Sequence, residues 1–248
     1  MSVLVLALAA GAAVGLALGA LGGGGSVLAV PALIYLLGLA PVAATTASLV
    51  IVTLTSVAAL FAHARDGHVH WRTGLLFAAA GIGPAMLGGT LAGRLPQALL
   101  TAGFALVAAG AAARMLWPAP PVGTGAEVRQ GRAAAAGSGL GAVTGVLGVG
   151  GGFLAVPALV GALGLRMRAA VGTSLLVITV NSLAALVTRG GALAALDWAV
   201  VAPFAGAAIL GAWDGKRLSA KVSGHTLRRI FAVTLLGVAA LMLTDAVL

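Results

Sequence analysis

Residues 11–39, GAAVGLALGALGGGGSVLAVPALIYLLGL, decide the fold because they recur 126 positions later as residues 137–165, GSGLGAVTGVLGVGGGFLAVPALVGALGL. When residues 11–60 are aligned with 137–186 without a gap, 25 of the 50 positions are identical. Chance alone, in a composition this biased, gives about one match in eight. The chain is therefore predicted to contain two copies of one unit.

The composition indicates that lipid is the solvent for most of the chain. Of 248 residues, 61% are hydrophobic and only 8% are charged, with a mean hydropathy of +1.14. A soluble domain carries about a quarter charged residues. We predict an all-α polytopic membrane protein, and the lack of cysteine excludes disulfides and zinc–thiolate sites. The net charge of +9 comes from loops between apolar spans, where the positive-inside rule explains it better than a nucleic-acid partner does.

Each copy is predicted to hold about four transmembrane helices plus one segment that is broken by Gly and Pro or re-entrant. The first repeat occupies residues 1–117, a cytoplasmic linker residues 118–132, and the second repeat residues 133–248. The predicted apolar spans are 3–21, 26–39, 42–62, 73–93 and 98–116, with counterparts at 133–149, 150–165, 169–188, 198–214 and 230–247. The second span of each set is short, because 14 helical residues rise about 21 Å against a bilayer core about 30 Å thick.

The distribution of Lys and Arg sets the predicted orientation. If each copy crosses the membrane five times, 12 of the 14 basic residues lie on one side, whereas four crossings per copy divide them 8 to 6. The positive-inside rule favours five. We therefore predict an inverted repeat in an inner membrane, with both termini outside and the linker in the cytoplasm.

Two glycine clusters, 22–25 and 148–152, are the candidate binding site. Each precedes a proline, Pro31 or Pro157, which is expected to open the first turn of a new helix inside the membrane. The first amides of such a helix lack intrahelical partners, and an anion can accept their hydrogen bonds. Paired interruptions of this kind point to a transporter site. The alternative, that glycines only allow close helix packing, is preferred for Gly11, Gly15 and Gly19.

Polar residues follow each break at membrane depth. Ser48 and Thr55 are seven residues apart and so share a helix face, and their counterparts Ser174 and Asn181 do the same. The alternative is that such hydroxyls bond back to their own helix. The predicted pathway residues are Gly24, Gly25, Ser26, Ser48, Thr55, Ser56, Gly150, Gly151, Gly152, Thr173, Ser174, Asn181 and Ser182.

The charged residues narrow the chemistry further. No Asp or Glu lies in the middle of a span, which argues against a cation site. His63, Arg65 and Arg189 are candidate mouth residues, although ordinary interfacial anchoring is the preferred explanation for the two arginines. Neither a metal nor another cofactor is predicted, since the histidine spacing in loop 63–70 is unspecific. A nucleophile with a helix-borne His is lacking, so no enzyme is predicted; a small-anion channel remains the alternative to a carrier.

The sequence resembles the sulfite exporter TauE/SafE family. The resemblance lies in Gly19-x2-Gly22-Gly-Gly-Gly25-x5-Pro31-x6-Gly38, Thr46-x-Ser48-Leu49, His63-x-Arg65-x-Gly67-x-Val69-x-Trp71-Arg72, Gly150-Gly-Gly152-x4-Pro157-Ala-Leu159 and Gly172-Thr-Ser-Leu175. It implies a bacterial multi-pass permease that moves sulfite, sulfonates or related organosulfur anions, often outward. The expected partners are a small anionic substrate and the bilayer, and the many small-residue faces are compatible with a homodimer.

Overall fold

A computed structural model describes residues 2–92, 96–116, 130–147, 152–188, 193–194 and 196–247. Within these ranges the chain forms ten α-helices and no β-strand, which confirms the all-α prediction. The first copy contains α1 (Ser2–Leu21), α2 (Gly24–Pro31), α3 (Pro41–Arg65), α4 (Trp71–Ala92) and α5 (Gln97–Leu116). The second contains α6 (Gln130–Leu147), α7 (Gly152–Gly161), α8 (Met167–Thr188), α9 (Trp198–Lys221) and α10 (Gly224–Val247).

The second helix of each copy is short, as the sequence predicted. α2 has 8 residues and α7 has 10. Both segments end at a glycine with positive φ, Gly38 at +69° and Gly164 at +67°. The next residue in each case reaches back six positions, so that Leu39 N–H bonds to Leu33 O and Leu165 N–H to Leu159 O, each at 3.1 Å. In both copies a left-handed glycine is thus followed by a hydrogen bond that spans six residues, and this recurrence shows that the repeat extends to the backbone turns.

The prolines do not open these helices, contrary to the expectation from sequence. Pro31 is the last residue of α2, and Pro157 lies in the middle of α7. A helical proline leaves the carbonyl four residues earlier without a donor, and after Pro31 the chain widens into a π-helical turn, Ala32–Leu36. The break itself comes earlier, at Gly22, where the chain turns with φ +68°.

The two copies interlock by exchanging partners. The first helix of each copy packs on the fourth helix of the other, so α1 lies against α9 and α6 lies against α4. Corresponding helices also meet directly, since α3 contacts α8, α5 contacts α10 and α2 contacts α7. The contacts therefore follow an approximate twofold relation between the copies.

Glycines form the seams between the exchanged helices. In α1 a Cβ atom at Gly11, Gly15 or Gly19 would collide with a carbonyl of α9, those of Phe204, Ala208 and Ala212 in turn. Gly137 and Gly141 in α6 meet carbonyls of α4 in the same way. Small residues spaced by four let membrane helices approach at backbone distance. These glycines are packing residues. Because the residue numbers of the contacts increase together along the two helices, α1 runs parallel to α9.

The polar contacts between copies show that α3 and α8 run antiparallel. Thr179 Oγ1 lies 3.0 Å from Ser56 Oγ, and Thr173 Oγ1 accepts a hydrogen bond from His70 N–H at 3.1 Å, just beyond the end of α3. Along these contacts the residue number decreases on α8 while it increases in the first copy, from Ser56 with Thr179 to His70 with Thr173. Corresponding helices of opposite direction are what an inverted repeat needs, but inversion across a bilayer stays a prediction.

Basic residues of both copies gather at one end of the bundle. There Lys216 pairs with Asp66, Arg168 donates to the carbonyl of Ala220, and Arg228 donates to the carbonyl of Arg114. Four of the 12 basic residues predicted to share one side are thus placed together. Which side of the membrane this is stays a prediction, and residues 118–129 of the linker lie outside the described residues.

Five helices in the described part of the chain are long and apolar enough to cross a membrane. They are Val3–Leu21, Ala43–Arg65, Met167–Val187, Trp198–Lys221 and Gly224–Leu241. Large apolar side chains point outward, with Val187 83%, Leu106 74% and Leu210 69% exposed. Such exposure suits lipid rather than water, and it confirms the prediction of a multi-pass membrane protein.

Candidate functional site

The first helix break is held against the opposite copy. At Gly22 the backbone adopts φ +68°, a conformation that favours glycine, and the chain turns from α1 into α2. A Cβ at this position would lie 2.5 Å from Ser174 Oγ and 3.2 Å from the carbonyl of Val171, both on α8. The break therefore packs directly on a polar residue that the sequence had singled out. Its counterpart in the second copy, 148–151, lies outside the described residues.

The predicted glycine residues form the starts of the short helices. Gly24, Gly25 and Ser26 make the first turn of α2, and Gly152 begins α7. No side chain caps α2, because the preceding residue is Gly23. The first amides of a helix have no intrahelical acceptor and carry the positive end of its dipole. Gly150 and Gly151 lie outside the described residues.

The hydroxyl groups of the polar helices are engaged with their own backbones. Ser48, Thr55 and Ser56 in α3 donate to carbonyls three or four residues earlier, at 2.6 to 3.1 Å, and Ser174 in α8 does the same at 2.8 Å. This is the back-bonding alternative for each residue taken singly. A hydroxyl held in this way presents its oxygen, an acceptor, to its surroundings. The part that these residues play in a pathway stays a prediction.

One contact joins the two polar faces inside the bundle. Thr179 Oγ1 lies 3.0 Å from Ser56 Oγ and 2.8 Å from the carbonyl of Leu175, and both hydroxyl residues are buried. Ser182 and Thr173, also predicted pathway residues, are buried on the same helix. Thr179 was not among the predicted pathway residues. The repeat carried the signal, because Thr179 aligns with Thr53 at the same offset of 126.

Asn181 carries a buried amide oxygen with no hydrogen-bond partner. Nearly all buried polar atoms in proteins are paired, so an exception inside a membrane helix points to a functional contact. An amide can be turned about its last bond, so this position offers a ligand either an acceptor or two N–H donors. Of the predicted pathway residues within the described ranges, Asn181 is the one with a buried side-chain atom that lacks a hydrogen-bond partner.

The three predicted mouth residues differ in their surroundings. His63 is 4% exposed, and its Nε2 lies 3.2 Å from the carbonyl of Gly19, so it sits inside the protein next to the break. Arg65 is exposed, with its guanidinium carbon 4.4 Å from the centre of the Phe61 ring. Arg189 lies outside the described residues.

The loop that follows α3 is tied to α9 by an ion pair between Asp66 and Lys216. The two atoms, Asp66 Oδ2 and Lys216 Nζ, are 2.7 Å apart. The hydrogen bond from Lys216 lowers the pKa of the Asp66 carboxyl below its ordinary value. Among the described residues no group of three His, Cys, Asp or Glu is placed to hold a metal ion.

Comparison with known proteins agrees with this architecture. Residues 7–242 match the family described as Sulfite exporter TauE/SafE. Two proteins of Xylella fastidiosa, from strains 9a5c and Temecula1 / ATCC 700964, are each named "Probable membrane transporter protein". Each is 35% identical to this chain over 246 residues, covering 95% of this chain and 93% of the relative. No solved structure matches.

Proposed function

Because the chain belongs to the sulfite exporter TauE/SafE family, we propose that it is a secondary transporter that exports a small sulfur-containing anion. The family consists of membrane transporters and not of enzymes, and the chain is a multi-pass membrane protein of that family. Sulfite, a sulfonate or a related organosulfur anion is the proposed substrate, bound near the middle of the membrane between the two copies.

One observation carries this proposal: the two short helices and the two polar helices form a single group. α2 contacts α3 and α7, α7 contacts α8, and α8 contacts α3. We propose that the amides that begin α2 and α7 line one site together with the faces that carry Ser56, Thr179 and Asn181. Broken helices beside polar faces at the interface of two repeats are typical of carrier sites.

The charges of this group favour an anion. None of α2, α3, α7 and α8 contains Asp or Glu, so a cation would find no carboxylate among them. Helix amides and a side-chain amide can donate hydrogen bonds to an anion without holding it as tightly as a buried arginine would. Weak, distributed binding suits a carrier, since the substrate has to leave again.

We also propose that the repeat is inverted in the inner membrane, with both termini outside and the 118–132 linker in the cytoplasm. The chain contains no cysteine, so single cysteines can be introduced without background. A membrane-impermeant maleimide added to intact cells should label a cysteine at Ser2 but not one at Gly123. Labelling at Gly123 and not at Ser2 would reverse the proposed orientation.

Counterflow in proteoliposomes tests the transport function. Vesicles loaded with unlabelled sulfite, sulfoacetate or taurine should take up the matching labelled compound with saturable kinetics. Asn181→Leu should lower that exchange by about tenfold or more, because a buried hydrogen bond to a charged group is worth about 1.5–3 kcal/mol. Single-channel currents in place of saturable exchange would instead indicate a channel.

Ser138→Ala is the matched control for Asn181→Leu. Ser138 Oγ donates to the carbonyl of Ala80 across the α6–α4 seam, so this variant also removes a polar contact between helices, but outside the proposed site. It should exchange substrate at nearly the wild-type rate. Failure of wild-type protein to exchange any of the three compounds, together with uptake of a cation, would contradict the proposed function.

A further inference from the structure

We propose that His63 is the proton-binding residue of this transporter, and that its protonation and the binding of an anion at the neighbouring helix break favour each other. This inference rests on the proposed anion transport and adds the coupling ion to it. It starts from the hydrogen bonding of a single buried ring.

His63 has one nitrogen paired and the other unpaired. Nε2 lies 3.2 Å from the carbonyl of Gly19, and since a carbonyl only accepts, Nε2 must carry the hydrogen. Nδ1 is then the bare nitrogen of the neutral ring, and it is buried without a hydrogen-bond partner. With 4% of the residue exposed, this nitrogen is a proton acceptor enclosed within the protein.

The position of His63 links it to the break. Gly19 is in the last turn of α1, three residues before the turn at Gly22, and Gly22 packs on Ser174 of the opposite copy. A change in the charge of His63 thus occurs beside the backbone that leads into α2. His63 also lies near the end of α3, the helix that meets α8 through Ser56 and Thr179.

The charged groups that face His63 leave its positive form without a counterion. Among the described residues Asp66 is the one carboxylate that acts on His63, and it is already paired with Lys216 of α9 at 2.7 Å. The His68 ring lies 6.3 Å from the His63 ring, between centroids, and adds no negative charge. Arg65 is stacked on Phe61, and α1 has no titratable side chain. A proton on Nδ1 therefore creates a buried charge, and an N–H donor, that an incoming anion would balance.

This arrangement makes proton and anion cooperative ligands. By linkage, if protonation of His63 strengthens anion binding, then the anion strengthens proton binding by the same factor. Histidine changes charge between about pH 5 and 8, so a pH gradient across the membrane can drive the cycle. In the second copy, position 189 aligns with 63 and holds Arg189, whose charge does not titrate. The titratable position is thus confined to one copy.

A purely structural role for His63 is the competing explanation, because the Nε2 hydrogen bond also satisfies a carbonyl at the end of α1. His63→Gln separates the two roles. Its side-chain amide can still donate to Gly19 but cannot take up a proton. A structural role predicts an unchanged pH profile in this variant, whereas proton binding predicts that the profile becomes flat.

The experiment is counterflow of labelled sulfoacetate in proteoliposomes at a series of pH values, equal on both sides. Sulfoacetate keeps its charge across this range, so the substrate itself does not titrate. The wild-type rate should change by at least about fivefold between pH 5.5 and 8, because fivefold is the lower end of the effect that one bound ligand usually has on the affinity for another. The rate of His63→Gln should change by less than about twofold over the same range. His70→Gln, in the same loop with an exposed side chain, should keep the wild-type profile.

A second measurement keeps the proposal testable if His63→Gln does not fold. In wild-type vesicles an imposed pH gradient should drive accumulation of sulfoacetate against its concentration gradient, and no accumulation would overturn the proposal. Exchange that is the same at every pH, or a profile that His68→Gln flattens and His63→Gln does not, would overturn it too. These outcomes leave anion transport standing, whereas absence of exchange at every pH contradicts the transport function and the proton site with it.

Discussion

Gly19 and Gly22 are three residues apart, yet they are glycines for opposite reasons. Gly19 lies in regular helix, and a side chain there would collide with the carbonyl of Ala212 in α9. Gly22 is glycine chiefly because of its φ of +68°, which other residues avoid. Gly19 must lack a side chain so that α9 can approach, whereas Gly22 must adopt a left-handed backbone conformation. Seams that hold the copies together can thus be separated by mutation from the break proposed to serve transport.

The largest effect is expected from Gly15→Val, at the centre of the α1–α9 seam. A Cβ at Gly15 would collide with the carbonyl of Ala208, and a backbone atom cannot move aside as a side chain can. We expect a loss of about 3 kcal/mol or more and little folded protein in detergent, measured by thermal unfolding and size-exclusion chromatography. Gly206→Val, on an open face of α9, should behave like wild type. Equal losses in both variants would mean that valine in a helix, and not the seam, is responsible.

Gly22→Ala should have the next largest effect and should reduce transport more than stability. The left-handed conformation costs alanine about 1–2 kcal/mol, and the new Cβ would lie 2.5 Å from Ser174 Oγ. Gly67→Ala is the control, since its φ is +71° but nothing lies within 4 Å of the Cβ position. Counterflow should fall at least tenfold in Gly22→Ala alone, and adding Ser174→Ala should restore part of the stability. Identical flux in the two glycine variants would remove the break from the mechanism.

A smaller effect is expected from the hydroxyl contact between the polar faces. Double-mutant cycles in membrane proteins give about 0.6 kcal/mol for such hydrogen bonds. Ser56→Ala and Thr179→Val, made singly and together, should therefore show a coupling of roughly that size in the free energy of unfolding. A coupling near zero would mean that Thr179 bonds only to the carbonyl of Leu175, 2.8 Å away.

The smallest effect is expected at the partly exposed ion pair between Asp66 and Lys216. Asp66→Asn should cost about 0.5 kcal/mol or less at neutral pH, and less still in high salt. Because Lys216 lowers the pKa of Asp66 in the folded protein, the pair contributes above the unfolded value of about 4 and is lost as pH falls through the folded value. Melting temperatures of variant and wild type should converge on acidification. A difference that grows at low pH would contradict this assignment.

Much of the fold could be predicted because local patterns determine it. Long apolar spans, the duplication and the shortness of α2 and α7 all follow from the order of residues. The position of the break did not follow, because the sequence shows Pro31 plainly but does not show which glycine of the run takes a positive φ. Gly22 does so with Ser174 as its neighbour, a contact made over 152 positions along the chain.

The candidate site could be predicted less well, since its chemistry depends on partners that sequence does not name. Ser48, Thr55 and Ser174 are buried, but the spacing of Ser and Thr does not show whether each hydroxyl bonds to its own helix, because that depends on its rotamer. His63 was expected in a hydrated loop or at a mouth, because its neighbours along the chain are charged. It is buried because the preceding turn still belongs to α3 and faces α1.

The exchanged seams have a consequence for how the protein is made. α1 leaves the ribosome before the other described helices, but α9, its packing partner, is completed only at Lys221. Until α9 is made, Gly11, Gly15 and Gly19 of α1 cannot pack on its backbone. In the nascent protein this face of α1 must therefore contact other helices or lipid. Assembly therefore finishes late, and a chain cut short within the second copy would leave α1 without its seam.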